Sequence, residues 1–139
     1  MDKKNITIPL VRSGVVASSC EIELKRKGES FYLTFQSGPL KGKQFEGVDY
    51  FRSLSEARKA LEEQSFFPAI QGACIDVYPG GFLSDNSDGL LAYRWSDSQN
   101  KLVVEIFDEI SPAEFERLSD LDSQREARRV LIRGSNGRR

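Results

Sequence analysis

The chain has 139 residues, with 20 lysines and arginines against 21 aspartates and glutamates, two cysteines and no histidine. That is the length of one domain, and Leu, Ile, Val and Phe supply 27% of it, above the roughly 20% below which chains stay disordered. The missing histidine excludes Ser-His-Asp and Cys-His nucleophilic sites, His-ligated metals and an imidazole switch, and a net charge of −1 argues against a dedicated nucleic-acid binder.

From the N-terminus, Ile6, Ile8 and Leu10 alternate with polar residues and predict a strand over 5–12, with Pro9 favouring a sheet edge. Ile22 and Leu24, set between Glu21, Glu23 and Lys25, give a strand with one dry face. Phe31, Leu33 and Phe35 repeat the pattern after the turn Arg26-Lys27-Gly28-Glu29, so the two strands form a hairpin. A loop at 37–42 precedes a further strand through Phe45, Gly47 or Val48, and Phe51. Ser53-Leu54-Ser55-Glu56 has the form of a capping box, which starts a helix running to Gln64 with Leu54, Ala57 and Leu61 as its apolar stripe. On that helix Arg58 and Glu62 are spaced as an i,i+4 ion pair.

Beyond Pro68, residues 69–78 read as a strand ended by Pro79-Gly80-Gly81, and 84–89 as a polar loop. Residues 90–95 and 101–107 form a second hairpin around the turn at 96–100. A second capping box, Ser111-Pro112-Ala113-Glu114, starts a short helix, and another helix covers 124–132. The expected fold class is α+β: an antiparallel sheet built from hairpins, with two or three helices packed on it. Residues 1–133 make a single domain and 134–139 a flexible tail. The hairpin-then-helix unit occurs twice, and the two units are expected to share one sheet.

Cys20 and Cys74 lack the spacing of a disulfide framework and fit reduced, packed thiols. The N-terminus has no apolar stretch behind its charges, and no apolar run reaches the roughly 20 residues that span a bilayer. A cytoplasmic protein with no membrane contact is expected. No glycine-rich phosphate-binding fingerprint occurs, so no cofactor is expected. Ser84-Asp85-Asn86-Ser87-Asp88-Gly89 has the flavour of a calcium loop, but the position that needs a bidentate glutamate falls on Trp95, so no metal is expected either.

Charge is unevenly distributed. Residues 85–122 hold 3 basic and 10 acidic side chains, and 123–139 hold 6 arginines and one glutamate. The arginines suit a helix C-terminus, and no aromatic residue follows Phe115 to stack a base, so nucleic acid is not an expected partner. The acidic stretch offers Asp85, Asp88, Asp97, Glu105 and Asp108 as one negative surface, against the plainer reading of solvated strand and helix-start acids. Asp76 with Glu105 or Asp108 would make a carboxylate pair for acid–base chemistry if their strands were neighbours. Tyr78, Tyr93 and Trp95 are residue types that anchor protein interfaces. Tyr93 and Trp95 share a strand face with Arg94 opposite, and that face is either core or interface.

The segment from Gly72 through Cys74, Asp76 and Tyr78 to Gly81, continued by Gly89-Leu90-Leu91-Ala92-Tyr93, resembles a pattern in small bacterial proteins. In size and style the whole chain resembles the immunity proteins of bacterial toxin–immunity systems. The resemblance implies a small cytosolic α+β domain without cofactor or catalytic residues, which blocks a toxin by binding it. The partner expected is therefore a protein, a toxin with a basic cleft, met by Asp76, Tyr78, Asp85, Asp88, Tyr93, Trp95, Asp97, Glu105 and Asp108. Two alternatives stay open: a carboxylate-using enzyme, and a homo-oligomeric adaptor joined through an edge strand such as 5–12.

Overall fold

In a computed structural model describing residues 3–97 and 99–136 (the last three by main chain alone), the period-two pattern of the first strands becomes a long meander. β1 (Lys3–Arg12), β2 (Val15–Lys27) and β3 (Ser30–Phe35) run antiparallel, with β4 (Gln44–Gly47) beyond β3. The register pairs Ile6 with Ile22, Ile8 with Cys20 and Leu24 with Leu33, which puts the apolar positions on one face. Ile8, Leu10, Cys20, Ile22, Leu24, Leu33 and Phe35 are buried there, while Thr7, Glu21 and Lys25 face water. A one-residue slip would exchange the two faces, so the core fixes the register.

β5 (Phe67–Pro68) completes the order β4-β3-β2-β1-β5. β1 is thus only partly the edge that Pro9 suggested. β5 pairs with Leu10 and Val11, the Ala69 N–H donates to the Pro9 carbonyl, and among the described residues no strand pairs with the outer edge of 3–8.

The helix α1 (Tyr50–Glu62) packs across β3 and β4 and starts a turn earlier than the expected capping box. Asp49 is the N-cap, its carboxylate accepting from the Arg52 N–H at 2.8 Å. Ser53 lies inside the helix, its hydroxyl turned back onto the Asp49 carbonyl at 3.1 Å. The strand expected through Phe51 therefore stops at Gly47, and the buried rings of Tyr50 and Phe51 belong to the helix.

The expected strand at 69–78 is a correction. Val77–Tyr78 (β6) forms a strand, Ile70 and Cys74 make single antiparallel bridges to Glu109 and Leu118, and Gln71–Ala73 forms a 3-10 turn. Buried side chains, with the main-chain carbonyls of Ile106, Asp108 and Arg117, take the place of a neighbouring strand. Arg58, 1% exposed, donates to the Gly72 and Ser119 carbonyls at 3.1 and 2.8 Å and to Gln124 Oε1 at 2.7 Å. Gln124 Nε2 donates to the carbonyls of Gly72, Cys74 and Val77. Burial pulls the Arg58 pKa down to about 10, against the attraction of Glu62. Arg58 is a staple between α1, the 72–77 segment and the last helix, not the surface half of an ion pair. Gly72 is needed here because a Cβ would stand 2.8 Å from Leu54 Cδ2 and 3.1 Å from the Ile106 carbonyl.

A second, three-stranded sheet has the order β6-β7-β8, with β7 (Leu91–Trp95) and β8 (Lys101–Glu105) forming the expected hairpin. The two hairpin units therefore sit in separate antiparallel sheets, and the fold class is α+β. The polar loop expected at 84–89 is instead the end of α2 (Gly81–Ser87), closed by Asp88 in the left-handed region. Ser111 gives no side-chain cap. Pro112–Arg117 is a 3-10 helix, and the Glu114 carboxylate turns to Arg117. The helix α3 (Leu121–Asn136) begins before the expected 124 because Asp120 accepts from the Ser123 N–H at 2.6 Å. That bond, outweighing some burial, lowers the Asp120 pKa. Of the tail expected at 134–139, residues 134–136 continue α3 and 137–139 lie outside the described residues. Cys20 and Cys74 are free and buried. No helix among the described residues is long and apolar enough to cross a membrane.

Candidate functional site

Four of the nine expected binding residues meet on one surface. Asp88, Glu105 and Asp108 line a groove of about 320 Å³ together with Lys3, Lys4 and Arg26, over a floor that includes Ile6, Leu24, Leu90 and Phe107. The groove adjoins a shallower depression, and Asp88 and Arg26 line both. There Asp85 joins Glu29, Asp49 and Val48. Across the two depressions six carboxylates face three cations. Asp88 and Arg26 approach to 3.6 Å with both side chains nearly half exposed, an ion pair that water screens heavily.

The local sequence builds this surface through α2. Asp88 takes a positive φ of 57°, and Gly89 follows at 82°. A Cβ on Gly89 would lie 2.7 Å from Asp49 Cγ, so only glycine lets the chain cross so close to the start of α1. The Tyr50 N–H donates to the Asp88 carbonyl at 2.8 Å, and the Ser84 hydroxyl donates to Asp49 Oδ2 at 2.8 Å. These bonds hold α2 against α1 and leave Asp85 exposed. Phe82, three residues before Asp85 and hence on the same side of α2, is 80% exposed. Sequence reasoning missed Phe82 because it read α2 as loop. The available signal was the apolar pair Phe82-Leu83 set between Gly81 and a polar run.

Asp76, Tyr78 and Trp95 lie elsewhere, in a groove of about 260 Å³ against Ala127, Arg128 and Leu131 of α3. Asp76 is occupied. Arg117 donates to both of its oxygens at 2.9–3.1 Å, and Arg94 Nε donates to Oδ2 at 3.1 Å. Burial acts to lower the Arg117 pKa, but its bonds to Asp76 and Glu114 outweigh that and raise it. The expected pairing of Asp76 with Glu105 or Asp108 is not assembled. The Asp76 carbonyl meets Trp95 and Glu105 meets Leu91, four residues apart on β7, or about 13 Å. Tyr78 packs on Phe51 at 5.5 Å between ring centroids, with the Arg128 guanidinium 4.5 Å above its ring.

Tyr93 and Trp95 are half-buried, so their shared face is neither sealed core nor open surface. The buried side of β7 belongs to Ala92. The two rings meet edge to face at 5.9 Å, and Lys101 Nζ sits 4.5 and 4.8 Å from their centroids. Trp95 Nε1 is buried without a hydrogen-bond partner among the described residues. Asp97 is a turn residue, its carboxylate accepting from the main-chain N–H groups of Gln99 and Asn100 and from Asn100 Nδ2. Among the described residues no three of Cys, Asp and Glu gather closely enough to hold a metal ion. The chain matches no protein-family model and no curated protein.

Proposed function

We propose that this chain is a binding protein that neutralises a partner protein, in the manner of a cytoplasmic immunity protein that blocks a toxin. The observation that supports the reading best is the gathering of Asp85, Asp88, Glu105 and Asp108 on two joined depressions, with Phe82 exposed one helical turn before Asp85. Fixed carboxylates of this kind steer a basic cleft into place and raise the association rate, while a buried aromatic anchor slows dissociation. Phe82 takes the anchor role expected of Tyr78 and Trp95, which are already engaged within the protein. The mechanism is occlusion: the cleft is covered, and no bond is made or broken.

The test is capture of the partner by the tagged chain from its own cells, followed by co-expression of the two. The reading expects a stoichiometric partner whose toxicity the intact chain suppresses, with Phe82→Ala weakening the complex about tenfold or more, in the range of an interface anchor. A chain that captures nothing, or that leaves the captured partner fully active, would overturn it.

A further inference from the structure

β8 is the outermost strand of the second sheet, and among the described residues no strand covers its far side. It is also unusually apolar for such a place, with Leu102 68% and Val103 55% exposed. Unpaired edges of this kind template pairing with another strand. The hairpin bonds fix which backbone groups are free. The Ser96 N–H donates to the Asn100 carbonyl and the Ile106 N–H to the Leu90 carbonyl. Antiparallel pairs alternate between bonded and non-bonded, so Leu102 and Val104 point their N–H and C=O groups at β7. Lys101, Val103 and Glu105 point theirs outward.

We propose that β8 pairs antiparallel with the β8 of a second copy about a two-fold axis at Val103. This merges two three-stranded sheets into one of six strands. The strand reads Lys101-Leu102-Val103-Val104-Glu105, so this register sets Lys101 opposite Glu105 of the second copy, and the reverse, on one face. The residues brought together are those whose backbone groups are free. Val103 exchanges both of its bonds with its symmetry mate, and the Glu105 N–H reaches the Lys101 carbonyl of the second copy. Sliding the strands by two residues either way sets Lys101 opposite Val103 or Phe107 and loses both charge pairs. Charge complementarity therefore selects a second copy, in one register, as the occupant. The inference does not rest on the neutralisation reading, although Glu105 also lines the groove assigned to the partner there.

The experiment is sedimentation equilibrium of the full chain from about 1 to 100 μM, with thermal melting of each variant to confirm folding. The wild type is expected to associate to a dimer. Glu105→Lys faces lysine with lysine at two symmetric sites and should weaken the dimer roughly tenfold or more; Lys101→Glu does the same with glutamates. The double exchange Lys101→Glu/Glu105→Lys should restore it, although Lys101→Glu also removes the cation above Tyr93 and Trp95. Val103→Pro removes an outward N–H that β7 does not use, and should abolish the dimer while leaving the hairpin folded. A wild type that stays monomeric throughout would overturn the proposal. So would a dimer indifferent to Val103→Pro, or single and double charge variants that associate alike.

Discussion

Arg58 and Gln124 show how much of this fold depends on two polar side chains. Together they supply donors to the carbonyls of Gly72, Cys74, Val77 and Ser119. Removing either leaves buried acceptors without partners, so Arg58→Met and Gln124→Ala should each cost on the order of 2–4 kcal/mol in urea unfolding. Because they share Gly72 and bond each other, the double variant should lose less than the sum of the singles. The buried thiols provide a pH test. Burial pushes Cys20 up from 9.0 to about 12 and Cys74 up from 9.0 to about 11. The folded chain thus keeps protons that the unfolded chain releases above pH 9, so the thiol contribution is complete below pH 9 and is lost as pH rises through 11 and 12. Wild type should lose stability relative to Cys20→Ala/Cys74→Ala between pH 9 and 11. At neutral pH neither thiol should react with iodoacetamide before unfolding.

Among the elements, legibility followed burial. β2 and β3 alternate cleanly because one face packs under α1 and the other meets water, and their hairpin could be read directly. The β7–β8 hairpin was legible for its polar five-residue turn. Residues 69–78 were not. They are apolar enough for a strand, but their carbonyls at 72, 74 and 77 accept from Arg58 and Gln124 while their N–H groups at 71, 72 and 75 reach main-chain carbonyls at 108, 106 and 117, and the distances in sequence (14 and 52 residues from Gly72 to the two side chains) leave no local trace. The helix α2 was hidden because Ser84, Asp85, Asn86 and Ser87 are turn formers, and its docking on Asp49 through Ser84 is a tertiary contact with no local signal. Gly89→Ala tests that docking. The added methyl would strike the Asp49 side chain and the Phe51 N–H in a left-handed conformation. It should cost about 1–3 kcal/mol, and far more than Gly81→Ala on the same helix, whose Cβ meets nothing.

On the scale of the whole molecule, the acidic excess of residues 85–122 divides by place. Glu114, with Asp76 from outside that stretch, balances Arg94 and Arg117, Asp97 shapes a turn, and Asp120 caps α3. Of the seven other acids in that stretch, Asp85, Asp88, Glu105 and Asp108 lie on the two joined depressions and are the set for a partner. Sequence could supply these residues but not their sorting, because the arginines that occupy Asp76 lie 18 and 41 residues away. The central claim is that Asp85 and Asp88 steer a basic partner. Asp85→Asn/Asp88→Asn tests it cleanly, since asparagine accepts the positive φ of Asp88. The decisive measurement is the association rate of the captured partner with wild type and with this double variant, from low to high salt. The account predicts slower association by the variant at low salt, on the order of threefold to tenfold, with the two rates converging as salt screens the charges and dissociation nearly unchanged. Equal association rates at every ionic strength would contradict it.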